Sequence, residues 1–106
     1  MSGRRVRVLS TTDVEPGSAR RVDVEGHRIA VVRIADDWYA IGDRCSHADF
    51  SLSEGEVIPE LKEIECWKHG STFDLKTGEP QSLPATKPVP VYTVEVEDGD
   101  VFVRLP

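Results

Sequence analysis

Both cysteines of this chain and two of its three histidines fall in pairs of one with one. Cys45-Ser46-His47 is a C-x-H, Cys66-Trp67-Lys68-His69 is a C-x-x-H, and 18 residues separate His47 from Cys66. Thiolate and neutral imidazole are the usual protein ligands of iron and zinc. Two short loops that each offer one of each could therefore clamp a metal centre. Zinc would take the four groups tetrahedrally, but zinc modules usually join cysteine with cysteine and histidine with histidine. A two-iron, two-sulfur cluster with thiolates on one iron and imidazoles on the other needs the mixed pairing, because each loop must span both irons. A structural zinc-binding module is the alternative. A disulfide would call for an oxidising compartment, to which nothing in the sequence points.

Strands are the elements expected to hold such loops. The fourteen valines stand mostly in alternating runs, the signature of half-buried strands. Arg5-Val6-Arg7-Val8-Leu9 alternates, and so does Arg21-Val22-Asp23-Val24, which turns through Glu25-Gly26 into His27–Ile34. Asp36-Asp37 predicts a turn before Trp38–Ile41. Val91–Val96 and Val101–Val103 flank Asp98-Gly99, a strong hairpin signal. Only Ser51 to Glu65 hints at helix, with Gly55 and Pro59 interrupting it. The pattern predicts an all-β chain, an antiparallel β-sandwich or barrel base with an inserted, turn-rich loop region at about 42–90. At 106 residues the expectation is one domain spanning 1–106, whose small core a bound metal would help to stabilise.

The net charge of −6 and a pI near 5.0 argue against nucleic acid or an anionic membrane surface as a partner. Arg4-Arg5 is similar to a twin-arginine signal, but no apolar stretch follows it, and no run approaches a membrane span. The cytoplasm is the expected location.

With these features in hand, the stretch from Cys45 to Gly55 resembles the first cluster loop of Rieske-type [2Fe–2S] ferredoxins, and Ile64 to Asp74 resembles the second. Lys76–Pro80, Pro84-Ala85 and the final valine-rich hairpin also fit that family. The resemblance implies that Cys45 and Cys66 ligate an inner iron and His47 and His69 an outer one. It further implies a soluble one-electron carrier with no catalytic residues of its own. The expected partners are a flavoprotein NAD(P)H-dependent ferredoxin reductase and a terminal, ring-hydroxylating type of oxygenase. A non-catalytic small subunit of another redox complex, such as nitrite reductase, is the other reading.

Respiratory and photosynthetic Rieske proteins resemble C-T-H-x-G-C and C-P-C-H-G-S, and their extra cysteines tie the two loops by a disulfide. This chain has Phe50 and Lys68 at those positions, Phe73 in place of a tyrosine that donates to a ligand sulfur, and a retained Ser71. Fewer donors destabilise the reduced cluster, so a low potential within the family is expected. Other nearby residues have plainer readings: His27 as a surface residue, Trp67 as a shield, Lys68 as a solvated lysine. Glu54, Glu56, Glu60, Glu63 and Glu65 read as a solvated face, Gly70 as room for the backbone near the sulfides, and Pro84-Ala85 as a third covering loop or a simple turn.

Overall fold

A computed structural model describes residues 4–45, 50–68, 70–83 and 85–106. Among the described residues, ten strands make three antiparallel sheets: β1 (Arg4–Ser10), β2 (Ser18–Val24), β3 (His27–Ile34), β4 (Asp37–Gly42), β5 (Glu56–Ile58), β6 (Glu63–Glu65), β7 (Thr72–Asp74), β8 (Val91–Tyr92), β9 (Val94–Glu97) and β10 (Asp100–Leu105). The sheet orders are β1-β10-β9, β2-β3-β4-β8 and β5-β6-β7. The second of these is the middle layer. Ile29 and Val31 of β3 and Ala40 of β4 pack into one core with Val101, Val103 and Leu105 of β10. Ala30, Val32 and Ile34 of β3 and Ile41 of β4 point the other way, into a second core with Ile64, Phe73 and both cysteines. Successive strand residues face opposite sides. The unbroken apolar run of β3 therefore reflects burial on both faces. The all-β base with an inserted subdomain is borne out.

Two of the expected hairpins form as two-residue turns. Val24 pairs with His27 across Glu25-Gly26, and Glu97 with Asp100 across Asp98-Gly99. Both residues of each turn have positive φ, the geometry that matches strand twist. The β3–β4 turn falls one residue earlier than expected: Ile34 pairs with Asp37, leaving Ala35-Asp36 as the turn. Ala35 has φ +53 and is exposed. An L residue other than Gly, Asn or Asp is strained there by roughly 1 kcal/mol. Ala35→Asn should therefore raise stability by about 0.5–1 kcal/mol, seen in thermal melts as a rise of roughly 3–6 °C. An unchanged or lower melting temperature would show that the turn is not strained.

Two expectations are corrected. Ser51 to Glu65 contains no α-helix: Leu52–Glu54 make one 3-10 turn, and β5 and β6 follow as a hairpin. Val91–Val96 is not one strand either. β8 pairs with β4 in the middle sheet, whereas β9 pairs with β10 in the outer sheet, and the chain changes layer at Thr93. Its backbone carbonyl there accepts from the Arg104 N–H at 3.0 Å.

Among the described residues no helix is long and apolar enough to cross a membrane. Away from the inserted sheet, Arg104 donates to Glu95 and holds its carboxyl below the usual carboxylate range.

Candidate metal centre

The middle sheet delivers the first cysteine. β4 ends at Gly42, and Asp43, Arg44 and Cys45 follow. The Cys45 N–H donates to the Phe50 carbonyl at 2.9 Å, Arg44 bridges to Ser51, and the Leu52 N–H donates to the Asp43 carbonyl at 2.6 Å. The two ends of the segment from Cys45 to Phe50 are thus pinned together. The inserted sheet delivers the second cysteine, because β6 runs directly into Cys66. There the Cys66 N–H donates to the Ser71 carbonyl at 2.7 Å, and the Gly70 N–H donates back to the Cys66 carbonyl at 3.0 Å. Both cysteines are anchored in the same way, by their own amide on the carbonyl five residues ahead.

A buried carboxylate supports the first anchor, and sequence reasoning missed it. Asp43 has no solvent exposure. Its side chain accepts from the Ser51 hydroxyl and, at 2.8 Å, from the Ser53 N–H, and the Arg28 guanidinium stands 3.9 Å away. An aspartate between a strand and a turn looks like any loop residue. The usable signal was its companions, two serines eight and ten positions on, whose hydroxyl and amide a carboxylate can collect.

Ser71 supports the second anchor. It is buried, and its hydroxyl oxygen accepts the Ala85 N–H at 3.1 Å, which leaves the hydroxyl proton free to be donated. The Ser82 hydroxyl accepts the Thr72 N–H at 3.0 Å and so holds the next stretch of chain beside β7. Ala85 is buried, as a covering role requires; Pro84 lies outside the described residues. At Gly70 the reason for glycine differs from expectation. A Cβ would meet only Glu65 Oε2, at 3.9 Å among the described atoms, but φ is +78. Handedness is what that position requires.

Cys45 and Cys66 are 3% and 1% exposed, neither forms a disulfide, and both lie in the core containing Leu52, Ile64 and Phe73. His47 and His69 lie outside the described residues. His27 belongs elsewhere. It is half-buried rather than a free surface residue, with Nδ1 3.2 Å from the Tyr92 hydroxyl and its ring edge-on to Tyr92. Burial raises the Tyr92 phenol above its ordinary pKa. Among the described residues no three His, Cys, Asp or Glu side chains gather. Two buried cysteines outside any disulfide, with a buried serine hydroxyl in the second segment, suit an iron–sulfur cluster, whose sulfur atoms favour a low-dielectric site and accept hydrogen bonds.

Residues 4–93 match the Rieske [2Fe–2S] domain family. The chain belongs to that family. As a Rieske protein it carries one [2Fe–2S] cluster. It is 42% identical over 102 residues to the 3-phenylpropionate/cinnamic acid dioxygenase ferredoxin subunit of Escherichia coli (strain K12), covering 96% of this chain and 94% of that one. The ferredoxin of carbazole 1,9a-dioxygenase from Nocardioides aromaticivorans IC177 superposes with a TM-score of 0.92 at 39% identity, covering 96% of this chain and 98% of that one. A chain in the complex of reduced oxygenase and oxidized ferredoxin in carbazole 1,9a-dioxygenase superposes with a TM-score of 0.86 at 42% identity, covering 94% and 92%. These Rieske relatives are ferredoxins, electron carriers rather than catalysts.

Three further residues surround the anchors of this Rieske domain. Phe73 is fully buried and offers no hydroxyl. Trp67 is 50% exposed, more open than a shield would be. It lines an open groove of about 650 Å³ with Glu54, Glu56 and Glu65, so part of the acidic face is concave.

Proposed function

We propose that Cys45 and Cys66 hold one iron of the cluster and His47 and His69 the other. In this reading the protein takes one electron at a time from a flavoprotein NAD(P)H-dependent reductase and passes it to a terminal ring-hydroxylating type of oxygenase, in the cytoplasm. One single domain spanning 1–106 performs the whole task. The observation that carries this reading is the match to dioxygenase ferredoxins over nearly the full length of both chains, together with two buried cysteines outside any disulfide at like-built anchors.

Bound there, the cluster supplies reversible one-electron chemistry, at a potential raised by neutral imidazoles in place of two thiolates. The chain's own residues hold it and tune it. Asp43 and Ser51 fix the first anchor, the Ser71 hydroxyl offers a proton towards the sulfur atoms, and Phe73 withholds a second such donor. The acidic groove beside Trp67 and the net charge of −6 favour partners with basic surfaces.

The test is metal and sulfide analysis with visible and EPR spectroscopy of the purified protein, followed by redox titration. We expect iron and acid-labile sulfide in equal amounts and a midpoint in the lower part of the roughly −150 to +300 mV Rieske range. His47→Cys or His69→Cys should shift the spectra towards those of an all-cysteine cluster or lose the cluster, whereas His27→Ala should leave them unchanged. A colourless protein holding stoichiometric zinc overturns the reading. A midpoint well above about +100 mV overturns its account of the tuning.

A further inference from the structure

Each cysteine-bearing segment is closed by its own backbone hydrogen bond, and no disulfide joins the two. Beyond the core that both cysteines share, a trio of side chains crosses between them. Phe50, whose carbonyl receives the Cys45 amide, meets Trp67 edge to face, with ring centroids 4.9 Å apart and planes at 82°. Lys68 Nζ stands 5.7 Å from the Phe50 centroid and 6.0 Å from that of Trp67.

We propose that Phe50, Trp67 and Lys68 form a noncovalent clasp that positions the two cysteine segments against each other and thereby slows loss of the metal centre. The geometry is that of real attraction. An edge-to-face pair sets the positive rim of one ring against the negative face of the other. An ammonium within about 6 Å of a ring centroid is drawn to the same kind of face, and here one ammonium reaches two rings.

The leverage is short. Trp67 follows Cys66 directly, and Phe50 is one hydrogen bond from Cys45. Fixing the two rings against each other therefore restrains the two cysteine segments through a short path. Trp67 and Lys68 are exposed and Phe50 is half-buried against the second core, so substitutions at Trp67 and Lys68 spare both cores, and Phe50→Leu keeps an apolar side chain against the one that Phe50 touches. The function follows from position, because the clasp joins residues adjacent to the two cysteine anchors.

The inference rests on Cys45 and Cys66 being metal ligands, and the experiment separates the two claims. Phe50→Leu, Trp67→Leu, the double variant, Lys68→Met and Lys68→Arg are purified with their native metal. Its release to excess chelator is followed by absorbance, and amide hydrogen exchange is read at Cys45 and Cys66 in the metal-free proteins. Each ring variant should release metal about tenfold faster, equivalent to 1.4 kcal/mol. The double variant should be no faster than the quicker single one, because the pair acts as a unit. Lys68→Met should have a smaller effect that Lys68→Arg reverses. In the metal-free proteins, exchange at both amides should quicken in the ring variants. Multiplying effects in the double variant, or unchanged release rates, overturn the clasp. If the metal proves to be zinc, the iron–sulfur reading fails, yet the same release cycle still decides the clasp.

Discussion

Replacing Asp43 with alanine should destabilise the protein by about 3 kcal/mol, although the residue is not a metal ligand. The loss takes the acceptor from the Ser53 N–H and leaves the buried Ser51 hydroxyl only the Ser53 hydroxyl, 2.8 Å away, and each buried orphan costs roughly 1–3 kcal/mol. It also removes the anion facing Arg28, a smaller loss because that side chain is partly exposed. Against a total of roughly 5–15 kcal/mol, the variant should still fold. Its damage should be local: the Ser51–Ser53 stretch would loosen, and with it the anchor that presents Cys45. Asp43→Asn keeps the shape and one acceptor oxygen, so it should lose about half as much. Urea unfolding gives the totals, and hydrogen exchange at Leu52 and Ser53 gives the location. An alanine variant within about 0.5 kcal/mol of the parent would mean that the carboxylate is spectator to the anchor.

The difference between Asp43 and the cysteines shows what the sequence could reveal. Thiol and imidazole announce themselves by type, since few residues bind soft metals, and their one-with-one order narrows the metal further. Asp43 acts through partners that only folding assembles, and its type is common in loops. The same division holds for the fold. β3 and the two Gly-containing hairpins were readable because an eight-residue stretch rich in β-branched residues and positive-φ turns are local signals. The inserted sheet was not. β5, β6 and β7 have three residues each, too few to display a period. What makes them strands is a single lateral row, Val57 opposite Ile64 and Ile64 opposite Phe73. All three side chains are buried in the core that holds both cysteines. Tertiary burial thus overrides the weak helical preference of the glutamate-rich stretch. The change of layer at Thr93 is equally invisible, because Val91–Val96 reads as one strand-forming run rich in β-branched and aromatic residues while its two halves serve different sheets.

Gly55→Ala should be more damaging still, and for a steric reason that also reaches the metal centre. A Cβ at Gly55 would lie 1.7 Å from the Glu65 carbonyl oxygen and 3.3 Å from that of Leu52. The obstacle is backbone, so no side chain can swing aside, and the strands must part by more than an ångström. That breaks the pairing of Glu56 with Glu65 at the end of β5–β6. Because Glu65 immediately precedes Cys66, the displacement passes straight to a thiol. A cost of at least about 3 kcal/mol is expected, above the usual range for a single added methyl. Gly70→Ala is the informative comparison. It lies in the Cys66 segment and has room for a methyl, but its φ of +78 should cost only about 1–2 kcal/mol. The two variants therefore separate crowding from handedness. In urea unfolding, Gly55→Ala should be the weaker protein, and metal analysis should find it depleted while Gly70→Ala remains largely loaded. A fully loaded and stable Gly55→Ala would require β5 to stand away from β6 at this point. The support of Cys66 would then have to come from the Ser71 side of the segment alone.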